Sequence, residues 1–166
     1  MKRIAGLGLL VALALVQVTW APRLSIAGAF PNLVLIAVVA ISWVYGVRSA
    51  LGWACVGGVL LDLTSSGAVG PHALALVTCA YVTSLWVRNF EKPSALHAAL
   101  TAAAGTVGYS LTLLLVAGLL GAGAIDSGAM VRLVIAAAVY NAALTPLALE
   151  VVRRVRAVIR ESPEPA

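Results

Sequence analysis

From Ile4 to Val152 the chain is a succession of apolar runs, nearly all of it divisible into bilayer-crossing lengths although the third run, Ala50 to Leu63, is short, and each run is separated from the next by a few Gly, Pro, Ser or charged residues. That pattern constrains the fold more than any motif. A helix needs about 20 mostly apolar residues to span roughly 30 Å of hydrocarbon. The residues are 62% hydrophobic and only 10% charged, with a mean hydropathy of +1.04, whereas soluble domains carry about 25% charged residues. No soluble fold of this size hides so much apolar surface. The class is all-α and polytopic: six transmembrane helices over 4–20, 30–46, 50–66, 69–87, 95–120 and 130–152, making one domain of residues 1–152, followed by a basic cytoplasmic tail over 153–166.

The breaks carry the helix punctuation. The first run opens on Lys2 and Arg3, as a secretory signal does, but Thr19-Trp20-Ala21 followed by Pro22 is a poor cleavage site. It is expected to stay as the first span, with Gly8 and Ala12 forming a small packing face. Pro31 and Pro71 sit in first turns, where the missing N–H costs nothing. Gly46 to Ser49 reads as a tight turn, Thr64 to Gly70 as a Ser/Gly break, and Arg88 to Pro93 as a hydrophilic hairpin. His97 falls at the boundary of the fifth run. Pro163 and Pro165 end any helix continuing from the sixth.

Charge sets the orientation. Counted by alternate breaks, Lys2, Arg3, Arg48, Arg88, Lys92, Arg153, Arg154, Arg156 and Arg160 fall on one side, and Arg23 and Arg132 on the other. The positive-inside rule then places both termini in the cytoplasm, with the 64–70 break and Asp126 outside. The net charge of +5 is thereby a matter of topology and not of nucleic acid, for which an aromatic-interleaved basic patch is lacking. Arg153, Arg154, Arg156 and Arg160 alternate with apolar residues and suit an anionic membrane surface, or a cytoplasmic partner on the same face.

Chemistry-bearing residues are few. Cys55 and Cys79 lie inside apolar runs without metal-ligand spacing, and read as small packing residues. No GxSxG, HExxH or Walker loop occurs, so the sequence predicts no catalysis, no metal and no cofactor. Asp62 is the exception that needs an account, since a carboxylate ending an apolar run is rare and a functional candidate by default. Its helical face holds Gly58, Val59 and Cys55, where a neighbouring backbone can approach closely. Two readings are open. As a structural group Asp62 caps the next turn or pairs with His72 or Arg132. As a functional one it forms with His72 an outer polar patch that binds a partner or small ligand. A proton relay needs ionisable groups across the whole membrane, and the inner half has no buried acid or base. Asn141, on a face with Ala137, Ala138 and Thr145, is either interhelical glue or a ligand or partner contact.

Pro31-Asn32-Leu33, then Gly57-Gly58-Val59-Leu60-Leu61-Asp62-Leu63, then Gly67-Ala68-Val69-Gly70-Pro71-His72-Ala73-Leu74, and finally Tyr140-Asn141 with Pro146 resemble the MreD family over essentially the whole chain. Asn32, where an acid is frequent, and Pro71 before the histidine depart from the commonest family pattern. The resemblance implies a bacterial inner-membrane component of the rod-shape, or elongasome, machinery. It implies a non-enzymatic partner of the bitopic protein MreC, acting with MreB, RodA and its transpeptidase to direct lateral peptidoglycan synthesis. It also implies a six-helix fold like the substrate-binding subunits of energy-coupling-factor transporters. A second function class, a solute-binding transporter subunit with its pocket at Asp62 and His72, requires polar and aromatic residues to converge there. Tyr109 and Trp53 are the inward candidates. Under the first reading Pro31, Asn32, Gly58, Asp62, Gly70, His72 and Asn141 are partner-binding or structural positions.

Overall fold

The computed structural model describes residues 2–19, 23, 28–65, 67–90, 94–121 and 126–161. Among them are six helices: α1 (Lys2–Thr19), α2 (Leu33–Tyr45), α3 (Val47–Thr64), α4 (Pro71–Val87), α5 (Ala95–Leu119) and α6 (Ser127–Glu161). Three regions, Val47–Thr64, Ala95–Leu119 and Ser127–Ala157, are long and apolar enough to cross a membrane. Leu10–Thr19, Leu33–Tyr45 and Pro71–Val87 are apolar but shorter. At 1.5 Å per residue, the 13 residues of α2 reach only about 20 Å. Of the six expected spans, three are clear by length and three are short.

Helix α2 is the axis of the bundle. It packs against all five other helices, whereas α1 meets only α2 and α3 among the described residues. Its run Leu33–Tyr45 is apolar on every side, as a helix enclosed by neighbours must be, and Val34, Leu35, Val38, Val39 and Ala40 are wholly buried. Around it, Leu10, Ala50, Ala54, Leu61, Leu76, Cys79, Ala80 and Ala102 complete the core. Many of these side chains are small, which lets backbones come close in an environment where apolar burial alone drives no association. The opposite faces are also apolar: Leu111, Leu115 and Leu119 on α5, and Val131, Ile135 and Val139 on α6, recur every four residues and are exposed. Their exposure fits contact with lipid and not with water.

Three boundaries differ from the sequence expectation. The turn expected at Gly46 to Ser49 is one residue. Gly46 adopts φ 84°, donates to the Ser42 carbonyl at 3.1 Å and accepts from the Ala50 N–H at 3.1 Å, so one left-handed residue ends α2 and starts α3. Arg48 consequently lies in the first turn of α3. Asn32 and not Pro31 caps α2, its side chain accepting from the Leu35 N–H at 2.9 Å. Helix α6 passes through both Pro146 and the 152/153 boundary without interruption to Glu161. The turn that Pro146 deprives of an N–H is braced by Thr145, whose hydroxyl donates to the Asn141 carbonyl at 2.6 Å. Residues 20–22 of the poor cleavage match, the Glu91-Lys92-Pro93 part of the hairpin and the side chain of Arg160 lie outside the described residues.

Candidate functional site

The break after α3 and the start of α4 form one structure. Gly70, in a left-handed conformation at φ 124°, turns the chain into Pro71 at the first position of α4. The unpaired N–H groups of that helix start then converge on Asp62. Its Oδ1 accepts from the His72 backbone N–H at 2.9 Å and pairs with His72 Nδ1 at 2.8 Å. Its Oδ2 accepts from the Gly70 N–H at 2.9 Å and the Ala73 N–H at 3.2 Å. An ionised carboxylate has about four acceptor positions, and all four are occupied by this chain. The side chain of Asp62 is wholly buried while that of His72 is 31% exposed. Because ionised Asp62 can only accept, His72 carries its proton on Nδ1, and Nε2 is the ring's one remaining polar atom. The ring that pairs with Asp62 is therefore His72; Arg132 lies exposed on α6.

Gly58 makes this possible. A Cβ there would lie 2.2 Å from Ala73 Cα and 2.6 Å from Ala73 N. The backbone of α4 thus rests directly on α3 one turn before Asp62, and no larger residue leaves the carboxylate within reach of the helix start.

A second helix start is closed in the same manner by amides. The Asn32 N–H donates to Asn141 Oδ1 at 2.9 Å, the Leu33 N–H to Gln17 Oε1 at 2.6 Å, and the Leu35 N–H to Asn32's own Oδ1. Since an N–H must meet an oxygen, Asn141 is oriented with Nδ2 towards Thr106 Oγ1, at 3.0 Å. Asn141 and Thr106 are 1% and 2% exposed, so α6 and α5 are joined to the end of α2 through a buried polar chain. Pro31 is buried beside it. Replacing Asn141 with leucine leaves the Asn32 N–H unpaired in the bundle and is expected to cost about 1–3 kcal/mol. Val139→Leu, on the exposed face, is expected to change little. Thermal unfolding in detergent compares them, and equal midpoints would mean the amide bridge does not hold α2.

Between the two capped helix starts lies a cavity of about 530 Å³. Its polar side chains are Asn32, His72, Thr106, Tyr109, Ser110 and Asn141, together with Gln17, Thr64 and Ser65; the rest is apolar, including Phe30, Leu61, Leu113, Met130 and Val134. The His72 and Tyr109 rings stand 6.3 Å apart. Trp53 instead packs against the core and does not line the cavity. Among the described residues no group of three or more His, Cys, Asp or Glu is placed to hold a metal.

At the other end of the bundle, Arg156 donates to the Val44 carbonyl and stacks over Tyr45 at 5.3 Å. The last turns of α6 are thereby anchored to the C-terminal end of α2, where carbonyls favour a cation. Arg154 pairs with Glu150 one turn away at 2.9 Å, both largely exposed, and Arg153 is exposed. His97 closes a capping box with Ser94 at the start of α5 and stacks on Phe90 at 4.2 Å. Cys79 is buried against Gly105, whereas Cys55 is exposed on α3.

The arrangement of Asp62, His72 and Asn141 on three separate helices accounts for the motif spacing. A family model described as rod shape-determining protein MreD matches residues 4–155. The chain belongs to the MreD family. Membership implies a role in rod shape determination. No curated protein and no solved structure matches the chain, and the expected likeness to energy-coupling-factor subunits is not shown. The MreD match spans all six helices, including the residues that close both helix starts.

Sequence reasoning missed two members of the site. Gln17 was absorbed into an apolar run, although an amide in such a run is itself a signal of helix contact. Thr106 gave no signal, because Thr is common in membrane helices bonded to its own preceding turn, as Thr106 also is, to the Ala102 carbonyl at 2.7 Å.

Proposed function

We propose that the chain is a non-enzymatic integral-membrane scaffold of the bacterial elongasome. It binds the transmembrane helix of MreC and, with MreB, RodA and its transpeptidase acting directly or through MreC, helps direct lateral peptidoglycan synthesis. One observation carries the reading. The buried polar side chains Asp62, Asn141, Gln17 and Asn32 are engaged with the starts of two helices of this same chain, so they brace the bundle as a scaffold requires. The surfaces left for a partner are apolar faces such as those of α5 and α6, the chemistry a single transmembrane helix matches. Co-purification of the tagged chain from its native membrane is expected to recover MreC.

The second reading, a solute-binding transporter subunit, has the cavity in its favour. Recovery of an ATPase module without MreC would establish it and remove the scaffold.

In this proposal all six helices cross or enter the inner membrane, both termini are cytoplasmic, and the start of α4 faces outward. The Arg156 anchor then lies at the cytoplasmic surface with Arg153 and Arg154, where each basic residue near anionic lipid contributes about 1 kcal/mol. In a cysteine-free background, an impermeant thiol reagent added to intact spheroplasts is expected to label Ser66→Cys and leave Ser162→Cys unlabelled. The reverse pattern would invert the topology.

A further inference from the structure

We propose that the cavity between α1 and α6 holds one uncharged hydrocarbon chain of a bilayer lipid, which enters sideways from the membrane. The inference rests on the membrane reading above, and three observations carry it.

The first is shape. Among the described residues α1 and α6 do not meet, and the gap between them is crossed by the non-helical segment 28–32. A Cβ on Gly28 would stand 3.4 Å from Leu133 Cδ2, and Phe30 is 44% exposed. Behind this segment the cavity reaches Asn141, 14 residues beyond the start of α6 and hence about 20 Å along its axis. Phe30 and Leu133 both line the cavity and are 44% and 39% exposed, so its wall includes side chains that also belong to the apolar outer surface.

The second is charge. Helix starts are ready-made anion sites, and both that border this cavity are filled by the chain's own oxygens, Asp62 at α4 and three side-chain amides at α2. No Lys, Arg, Asp or Glu lines the wall. Of the wall residues only His72 can take on a positive charge, so any other charged group inside would be buried without an opposite charge, which is costly.

The third is volume. About 530 Å³ lies in the range of about 300–1,000 Å³ typical of small-molecule sites, and is far too small for a helix. Most of the surface the cavity exposes is apolar, which suits an apolar ligand, and in a bilayer the abundant one is an acyl chain.

The test uses the full chain in vesicles containing phosphatidylcholine with a diazirine in mid-chain, followed by photolysis and peptide mapping. Adducts are expected on Leu113, Met130 and Leu133 in addition to the outward Ile135 and Val139. Ala137→Trp, which fills the space, is expected to abolish adducts on Leu113 and Met130 and leave those on Val139; Leu113→Trp, filling it from α5, is expected to abolish the adduct on Met130. Phosphatidylglycerol with the same chain is expected to give the same pattern. Adducts confined to Ile135 and Val139, cavity adducts that survive both tryptophans, or cavity labelling with only one head group would each overturn the proposal while leaving the membrane reading intact. Absence of adducts on either face would overturn both.

Discussion

Gly58→Ala is expected to lower the stability of the bundle by about 3 kcal/mol, the upper part of the range for overpacking a well-filled interior. The added methyl would lie 2.2 Å from Ala73 Cα and 2.9 Å from the His72 carbonyl carbon. Those atoms are backbone at the first turn of α4, so no rotamer change relieves the clash. Helix α4 must move away from α3, which also draws the Gly70, His72 and Ala73 N–H groups off Asp62. Gly52→Ala, six residues earlier on the same helix, meets nothing within 4 Å and is expected to gain up to about 1 kcal/mol from helix propensity. Unfolding midpoints of the two variants in the same detergent check the contrast. A Gly58→Ala protein as stable as Gly52→Ala would mean that α3 and α4 are not in backbone contact.

Asp62→Ala is expected to cost about 3–5 kcal/mol, as removal of one partner from a buried, hydrogen-bonded charge generally does. Three backbone N–H groups and the His72 ring lose their acceptor together. Asp126 makes the informative comparison, because it too caps a helix, accepting from the Gly128 and Ala129 N–H groups at 3.0 and 3.3 Å, but in an exposed position where water replaces it. Its alanine variant is expected to cost about 1 kcal/mol. Detergent melting together with MreC capture measures both, and equal losses would refute the ordering. In the proposed scaffold the Asp62 variant loses capture in step with stability, since the carboxylate contacts its own chain and not the partner.

Apolar run length, Gly and Pro punctuation and the few polar residues were legible in the linear order because each acts locally. Hydrophobic length determines whether a helix can span, Pro71 starts a helix wherever it is placed, and Asp62 is conspicuous for want of neighbouring charge. The order of the motifs likewise sufficed for the family. The one-residue corner at Gly46 was not legible, since a left-handed glycine and a longer turn begin with the same residue. Nor was the unbroken course of α6 through Pro146, which depends on Thr145 closing the turn.

What the sequence by itself determined is thus the all-helical, membrane-type architecture and the positions at which polar groups interrupt it. Only the tertiary structure decided what those groups do. The sequence left Asp62 open to a cap, a pair with His72 or Arg132, or a ligand site, and the choice depends on which donors the packing of α3 on α4 brings within about 3 Å. Gln17, Asn32, Thr106 and Asn141 are far apart in the chain and meet only because α1, α5 and α6 converge on the end of α2. Hydrogen-bond saturation is a property of that convergence, and it turns a conspicuous carboxylate into a structural lock beside a neutral cavity.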